Sequence, residues 1–226
     1  MKLSVIIPIF NEKRTIQKVL RRVENVEITG IDKEIILVDD FSSDGTREIL
    51  KNLKEKYKVI FHQKNLGKGA AIRSALKYAT GDIIIIQDAD LEYSPEDYPQ
   101  LIRPILRNET SVVYGSRVLS KSPRFSLWYY LGGKLINKLA NFLYGSKITD
   151  INSGYKVFKK EIFEKITLES NGFEFCEEIT AKLLKRKYKI VEVPIKYNPR
   201  SFAEGKKLTW RDGFLAILTL IKYRFL

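Results

Sequence analysis

The chain has 226 residues, enough for one large or two small domains, and its 44% hydrophobic content is ordinary for a globular protein. A formal net charge of +13 implies an anionic partner, whether nucleic acid, nucleotide phosphates or a membrane surface. The single cysteine, Cys176, excludes an internal disulfide and fits a reducing compartment, while no secretory signal and no run of about 20 apolar residues predicts export or a transmembrane helix.

Residues 3–10 read as a buried strand, and Asn11-Glu12 then opens a helix with Ile16, Val19, Leu20 and Val23 at helical spacing. A second strand, 34–40, ends in Asp39 and Asp40. Ser42-Ser43-Asp44-Gly45-Thr46 follows as turn and helix cap, before a helix carrying Ile49, Leu50 and Leu53. A short strand at 58–61 leads through Asn65-Leu-Gly-Lys-Gly69 into a helix bearing Ala71, Ile72, Ala75, Leu76 and Ala79. Next comes Asp-Ile-Ile-Ile-Ile-Gln-Asp-Ala-Asp-Leu-Glu, residues 82–92, whose four consecutive isoleucines suit a central strand buried on both faces. A helix near Pro95 with Leu101, Ile102 and Leu106 precedes a strand at 111–117. The strand–helix alternation of the first 90 residues predicts an α/β fold with a mostly parallel sheet and right-handed crossovers.

Beyond residue 120 the alternation stops. Residues 126–144 fit one helix, with Trp128, Leu131, Leu135, Leu139, Phe142 and Leu143 on one side and Lys134, Asn137, Lys138 and Asn141 on the other. A helix at 174–187, a strand at 188–195, a basic loop at 198–207 and a last helix from about Thr209 complete the chain. With no repeat or linker, the economical reading is one domain over 1–226.

Chemistry concentrates at predicted strand ends. Asp88, Asp90 and Glu92 follow the central strand at alternate positions, on the edge where open α/β sheets bind ligands. Three carboxylates so close repel one another, which makes sense if a divalent cation neutralises them. Few, hard oxygen ligands favour Mg²⁺ or Mn²⁺ shared with a substrate phosphate. Arg117 ends a strand on the same edge and could clamp a phosphate bidentately. His62 falls at a strand end away from these clusters and reads as structural.

The ordered set Pro8-Ile-Phe-Asn-Glu12, Val38-Asp-Asp-Phe-Ser-Ser-Asp-Gly-Thr46, Asn65-Leu-Gly-Lys-Gly-Ala70 and Gln87-Asp-Ala-Asp90 resembles family 2 of the inverting glycosyltransferases, which have the glycosyltransferase-A fold. Gly115-Ser-Arg117, Asp150-Ile-Asn-Ser-Gly-Tyr-Lys156 and Arg200-Ser-Phe-Ala-Glu-Gly-Lys-Lys207 resemble its polyprenyl-phosphate, dolichyl-phosphate mannose synthase-like branch. The resemblance implies a GDP- or UDP-hexose donor, a divalent metal and a polyprenyl or dolichyl phosphate acceptor. It places Pro8, Phe10, Glu12, Val38, Asp40 (in preference to Asp39), Lys68, Asp88, Ala89 and Lys206 on the nucleotide-sugar, and Asp88, Asp90 and Glu92 on the metal. Asp90, Arg117, Asp150 and Arg200 are the expected catalytic set, with Asp150 near the transferred sugar or acceptor and the arginines on the phosphates. Many family members carry Gln at the position of Glu92, so this chain is locally more negative. Residues 1–120 would form the nucleotide-sugar half, and 121–226 the acceptor and membrane-interface half.

Glu174, Glu177 and Glu178 head a helix, where acids complement the helix dipole. Other branches of the family keep a catalytic base near there, and both readings stay open. The 126–144 helix and the apolar segment 214–221, followed by Lys222 and Arg224, are expected to be amphipathic interface helices, peripheral on the cytoplasmic face of a membrane. The opposing reading packs them on each other or across a homodimer, and a separate membrane-anchor partner also stays open. Rival functions are transfer to a hydroxyl of a glycan or other soluble acceptor and, from the charge alone, nucleic-acid binding. No recognised nucleic-acid module is present, so no nucleic-acid partner is expected.

Overall fold

Strands buried on both faces carry one apolar layer on each side of a single sheet. The computed structural model describes every residue except 121, 123–125, 202–204, 206 and 208. In chain order the elements are β1 (Lys2–Ile9), α1 (Ile16–Asn25), β2 (Asp32–Asp39), α2 (Thr46–Lys51), β3 (Lys58–Phe61), α3 (Lys68–Leu76), β4 (Ile83–Ile86), α4 (Tyr98–Leu106), β5 (Val112–Ser116) and α5 (Leu127–Tyr144). There follow β6 (Lys156–Lys159), α6 (Ile162–Lys165), α7 (Phe175–Lys185), β7 (Ile190–Pro194) and α8 (Trp210–Phe225). The sheet order is β3-β2-β1-β4-β6-β5-β7, which leaves β4 in the middle. Its four isoleucines are each at most 1% exposed, and burying such a side chain contributes about 1.5–3 kcal/mol. On β1, Val5, Ile7 and Ile9 join a cluster with α1 and α4, while Ile6 faces the other cluster with α3, α5, α7 and α8.

The sheet is mostly parallel, as the alternation predicts, but β6 runs antiparallel between β4 and β5. That strand is not predicted. Lys-Val-Phe-Lys offers too short an apolar run, and Lys156 is fully buried because its ammonium donates to the carbonyls of Ile151 and Ser153. The first helix also starts later than expected. Asn11 takes φ +50°, the chain turns, and the carbonyl of Glu12 accepts from Thr15 and Ile16 before α1 proper begins.

Asn11, Phe41 and Leu91 all have positive φ, and each lies just beyond the end of β1, β2 or β4. Left-handed backbone costs a non-glycine residue about 1–2 kcal/mol. Three of the five such residues among those described thus lie on the loops after these strands, where the sheet edge opens into a groove; the other two, Asn108 and Lys187, follow α4 and α7.

Candidate active site

A groove of about 1060 Å³ runs along the C-terminal ends of β1, β2 and β4 and is walled by α5, α7 and α8. Pro8, Phe10, Glu12, Asp40, Lys68, Asp88, Ala89, Asp90, Glu92, Arg117, Asp150 and Arg200 all line it. Val38 does not reach it: the side chain is fully buried in the core beside Ala71 and Ile72. Lys206 lies outside the described residues.

The acids at the strand ends are held by bases from distant parts of the chain. Lys68 Nζ meets Asp88 Oδ1 at 2.5 Å. Burial opposes the Lys68 charge, but Asp88 outweighs it and holds the ammonium above its usual range. The other Asp88 oxygen rests against Gly154, where a Cβ would collide with it. Arg200 donates to both oxygens of Glu12 at 3.1 and 3.2 Å and to Asp90 Oδ2 at 2.9 Å. Lys207 adds a bond to Glu12 at 2.7 Å and one to the Phe10 carbonyl. Glu12 is thus not a simple helix-start charge but the acid that fastens the basic loop to the sheet edge.

Burial, then repulsion from Asp88 and Glu92, pushes the Asp90 carboxyl up to about 7 despite Arg200. Such strain is what a dication relieves, and Asp88 with Asp90 offers the hard oxygens that Mg²⁺ or Mn²⁺ prefers. Glu92 is placed differently from the expected three-acid set. Its Oε1 accepts from the Arg200 backbone N–H at 2.8 Å and its Oε2 from Tyr197 at 3.0 Å, so it anchors the 197–200 segment. Among the described residues, no group of three or more His, Cys, Asp or Glu side chains is arranged to hold a metal.

Arg117 and Asp150 form one bidentate unit, with Nε to Oδ2 at 2.8 Å and Nη2 to Oδ1 at 2.7 Å. The Arg117 guanidinium also lies 5.0 Å from the Tyr197 ring centre. Burial opposes its charge, but Asp150 keeps it well above the usual arginine range. Glu192 of β7 supports the pair by accepting from the Thr149 and Asp150 backbone N–H groups.

Asp40 supports the loop after β3. Its carboxylate accepts from Leu66 N–H at 2.8 Å and Gly67 N–H at 2.7 Å, and it meets His62 Nδ1 at 2.7 Å. His62 Nε2 in turn meets Ser74 of α3 at 2.9 Å. His62 is therefore structural, as the sequence suggests, but it belongs to this site and not to a remote strand end. Gly67, at φ +95°, passes so close to the Asn171 carbonyl that no side chain fits. The loop is clamped, and Lys68 is delivered to Asp88 from it.

The three helix-start glutamates separate cleanly. Glu174 folds back on the Gly172 N–H, and Glu178 accepts from Glu169 N–H, Ser170 N–H and Lys182. Only Glu177 lines the groove. The sequence marks the group by its acids but carries no signal that separates inward from outward positions.

This architecture is the glycosyltransferase-A fold. Crystal structures of Mycobacterium tuberculosis glucosyl-3-phosphoglycerate synthase superpose with TM-scores of 0.77 for the complex with Mn²⁺, UDP and phosphoglyceric acid and 0.78 for the UDP complex. Identity is 20% in both, with 99–100% of this chain and 78–80% of those chains covered. Residues 4–167 match the family described as "Glycosyl transferase family 2", and the chain belongs to that family. It is 37% identical over 215 residues to a dolichol-phosphate mannosyltransferase of Pyrococcus furiosus, covering 91% of this chain and 59% of the relative. It is 30% identical over 219 residues to the low-salt glycan biosynthesis hexosyltransferase Agl6 of Haloferax volcanii, covering 94% and 51%. The chain thus spans only between half and three-fifths of the length of these two relatives. A third, the uncharacterised protein MJ1222 of Methanocaldococcus jannaschii, is 32% identical, with 97% of this chain and 91% of the relative covered.

Proposed function

We propose that the chain is a metal-dependent, inverting hexosyltransferase that moves one mannose or glucose from a GDP- or UDP-sugar to a polyprenyl or dolichyl phosphate at the cytoplasmic face of a membrane. The observation that carries the reading is the meeting of Asp88 and Asp90 with Lys68, Arg117, Arg200 and Lys207 in one groove. Two phosphate-bearing substrates need that density of cations. The likeness to the dolichol-phosphate mannosyltransferase supports the acceptor class, and the Mn²⁺ and UDP bound by the fold neighbours support a dication and a nucleotide-sugar.

In this reading residues 1–120 supply the donor half and 121–226 the acceptor half. Pro8, Phe10 and Glu12 border the nucleotide, and Lys68 borders its diphosphate. Asp88 and Asp90 would hold Mg²⁺ or Mn²⁺, whose charge would offset that of a nucleoside diphosphate leaving group. Arg117, fixed by Asp150, and Arg200 neutralise the phosphates and bring them into line. A phosphate monoester has a second pKa near 6 and is already largely a dianion at pH 7. The acceptor therefore needs positioning more than deprotonation.

The deciding experiment incubates UDP- and GDP-sugars with a short polyprenyl phosphate, mild detergent and Mg²⁺ or Mn²⁺. Transfer of one hexose to the lipid, abolished by EDTA, is expected; full activity in EDTA removes the metal. A second reading, transfer to a hydroxyl, is favoured by Glu177, which burial pushes up to about 7 in the groove. A base contributes roughly 10²–10⁴-fold, so Glu177→Gln losing a thousandfold with donor binding intact would select it.

A further inference from the structure

One region of the groove takes no part in the lipid-phosphate reading. It is the region lined by Asn152 of the Asp150–Gly154 turn, Cys176 and Glu177 of the first turn of α7, and Asp212 and Gly213 at the start of α8. Glu177 is 3% exposed there, and among the described residues its carboxyl receives a hydrogen bond only from its own backbone N–H. The nearest cation does not satisfy it. The Lys156 ammonium is committed to the Ile151 and Ser153 carbonyls at 2.8 and 2.7 Å and lies 4.4 Å from the Tyr114 ring centre. Asn152, which also lines the groove, has its Oδ1 buried without a hydrogen-bond partner. Phe173 and Cys176, which line the groove with Glu177, add apolar surface, and Lys68 Nζ reaches within 5.9 Å of the Phe173 ring centre.

Leaving a buried acceptor such as Asn152 Oδ1 without a donor costs about 1–3 kcal/mol, and the Glu177 carboxyl lines the groove with no donor from another described residue. The ligand that completes them must bring O–H or N–H groups. It must also be uncharged at this point, because Glu174 and Asp212 add negative field around Glu177. A phosphate or carboxylate is excluded on that ground. A hydroxyl-rich ring attached to a diphosphate beside Asp88 and Lys68 meets both conditions.

We propose that Glu177 and Asn152 form the hexose-reading pocket, accepting hydrogen bonds from sugar hydroxyls and setting which hexose is used. The inference rests on the nucleotide-sugar reading above. Glu177 acts here by binding the sugar and not as a base, which separates the two roles experimentally.

The test measures kcat/KM for donors that differ at single hydroxyls, UDP- and GDP-linked glucose, galactose and mannose with their deoxy analogues. It uses the wild type, Glu177→Leu, Glu177→Gln and Asn152→Ala, alongside calorimetric Kd values for UDP and GDP. A site built to bind a hydroxyl discriminates strongly against its absence. Glu177→Leu is expected to lower kcat/KM for the preferred hexose about 10–100-fold. It should also flatten the preference among epimers and leave the nucleoside diphosphate Kd within about twofold. Glu177→Gln, which keeps one acceptor, should stay within about tenfold of wild type. Asn152→Ala should shift the same preference, which covers the case in which the leucine variant fails to fold. Parallel loss of nucleoside diphosphate affinity, or unchanged hexose preference in both Glu177→Leu and Asn152→Ala, overturns the proposal. A glutamine variant as inactive as the leucine one does so too. A wild type that binds no nucleotide-sugar instead overturns the transferase reading itself.

Discussion

Asp90 is held in a state that costs the fold stability. Its carboxyl is pushed up to about 7, from 3.8 for a free aspartate, by burial and then by Asp88 and Glu92. Below pH 4 it is neutral in both folded and unfolded chains, so it contributes nothing. Between about 4 and 7 the unfolded chain ionises while the folded one keeps its proton, so stability falls as pH rises, and above 7 the loss is complete. Asp90→Asn keeps an oxygen for Arg200 and removes the titration. It is expected to abolish transfer yet to raise stability at pH 8 by about 1 kcal/mol, or roughly 2–4 °C in Tm. Melting curves without divalent cations should show the difference vanish near pH 4; a variant less stable than wild type at pH 8 contradicts the assignment. At this scale the sequence is informative where a carboxylate follows a buried strand, as Asp88 and Asp90 do. It is silent where partners lie far apart in the chain: Arg200 is 188 residues from Glu12 and 110 from Asp90. His62 belongs to the same class, because only the folded loop brings it onto Asp40.

The Asp150–Gly154 turn and β6 act as one element that closes the site from the C-terminal half. Gly154 donates its N–H to Tyr93 at 2.9 Å and lies directly against the Asp88 carboxylate. Its φ is not in the left-handed region, so the constraint is space and not backbone conformation. Gly154→Ala should therefore displace Asp88 with little change in the rest of the fold. Misplacement of a reacting group by about 1 Å costs on the order of 10²-fold. Expected are a kcat near 1% of wild type and a Tm within a few degrees; normal activity would show that Asp88 has slack. The parallel strands were legible because isoleucine- and valine-rich runs alternated with helical spacing. The antiparallel β6 was not, since its stability comes from the two strands it separates and from carbonyls that satisfy Lys156.

Across the whole molecule the apolar surface is lopsided. α5 and α8 pack together, with Tyr144 bonded to the Leu220 carbonyl at 2.7 Å, so their mutual contact is real. They nevertheless leave Trp128, Leu135, Phe142, Trp210, Phe214 and Phe225 between 57% and 84% exposed. The stripe read from the sequence divides: Leu139 and Leu143 pack against the core, while Trp128, Leu131, Leu135 and Phe142 turn outward. Asn137 and Asn141, on the side opposite that stripe, donate to the Thr149 and Ile148 carbonyls. A helix that points asparagines inward and tryptophan outward leaves an apolar face uncovered. Among the described residues no helix is long and apolar enough to cross a membrane. The expected attachment is therefore in the interface plane, with apolar insertion joined to the attraction of a +13 chain for anionic lipid. Salt screens the second force and spares the first. The protein should sediment with anionic vesicles at low salt and be only partly released at high salt. Replacing Trp128, Trp210 and Phe225 together by alanine should remove most of the salt-resistant fraction, since each buried aromatic contributes about 1.5–3 kcal/mol. Light scattering in the absence of lipid distinguishes the other occupant of this face. A wild-type dimer that the triple variant converts to monomer, with no vesicle binding by either, would assign the stripe to a second copy of the chain.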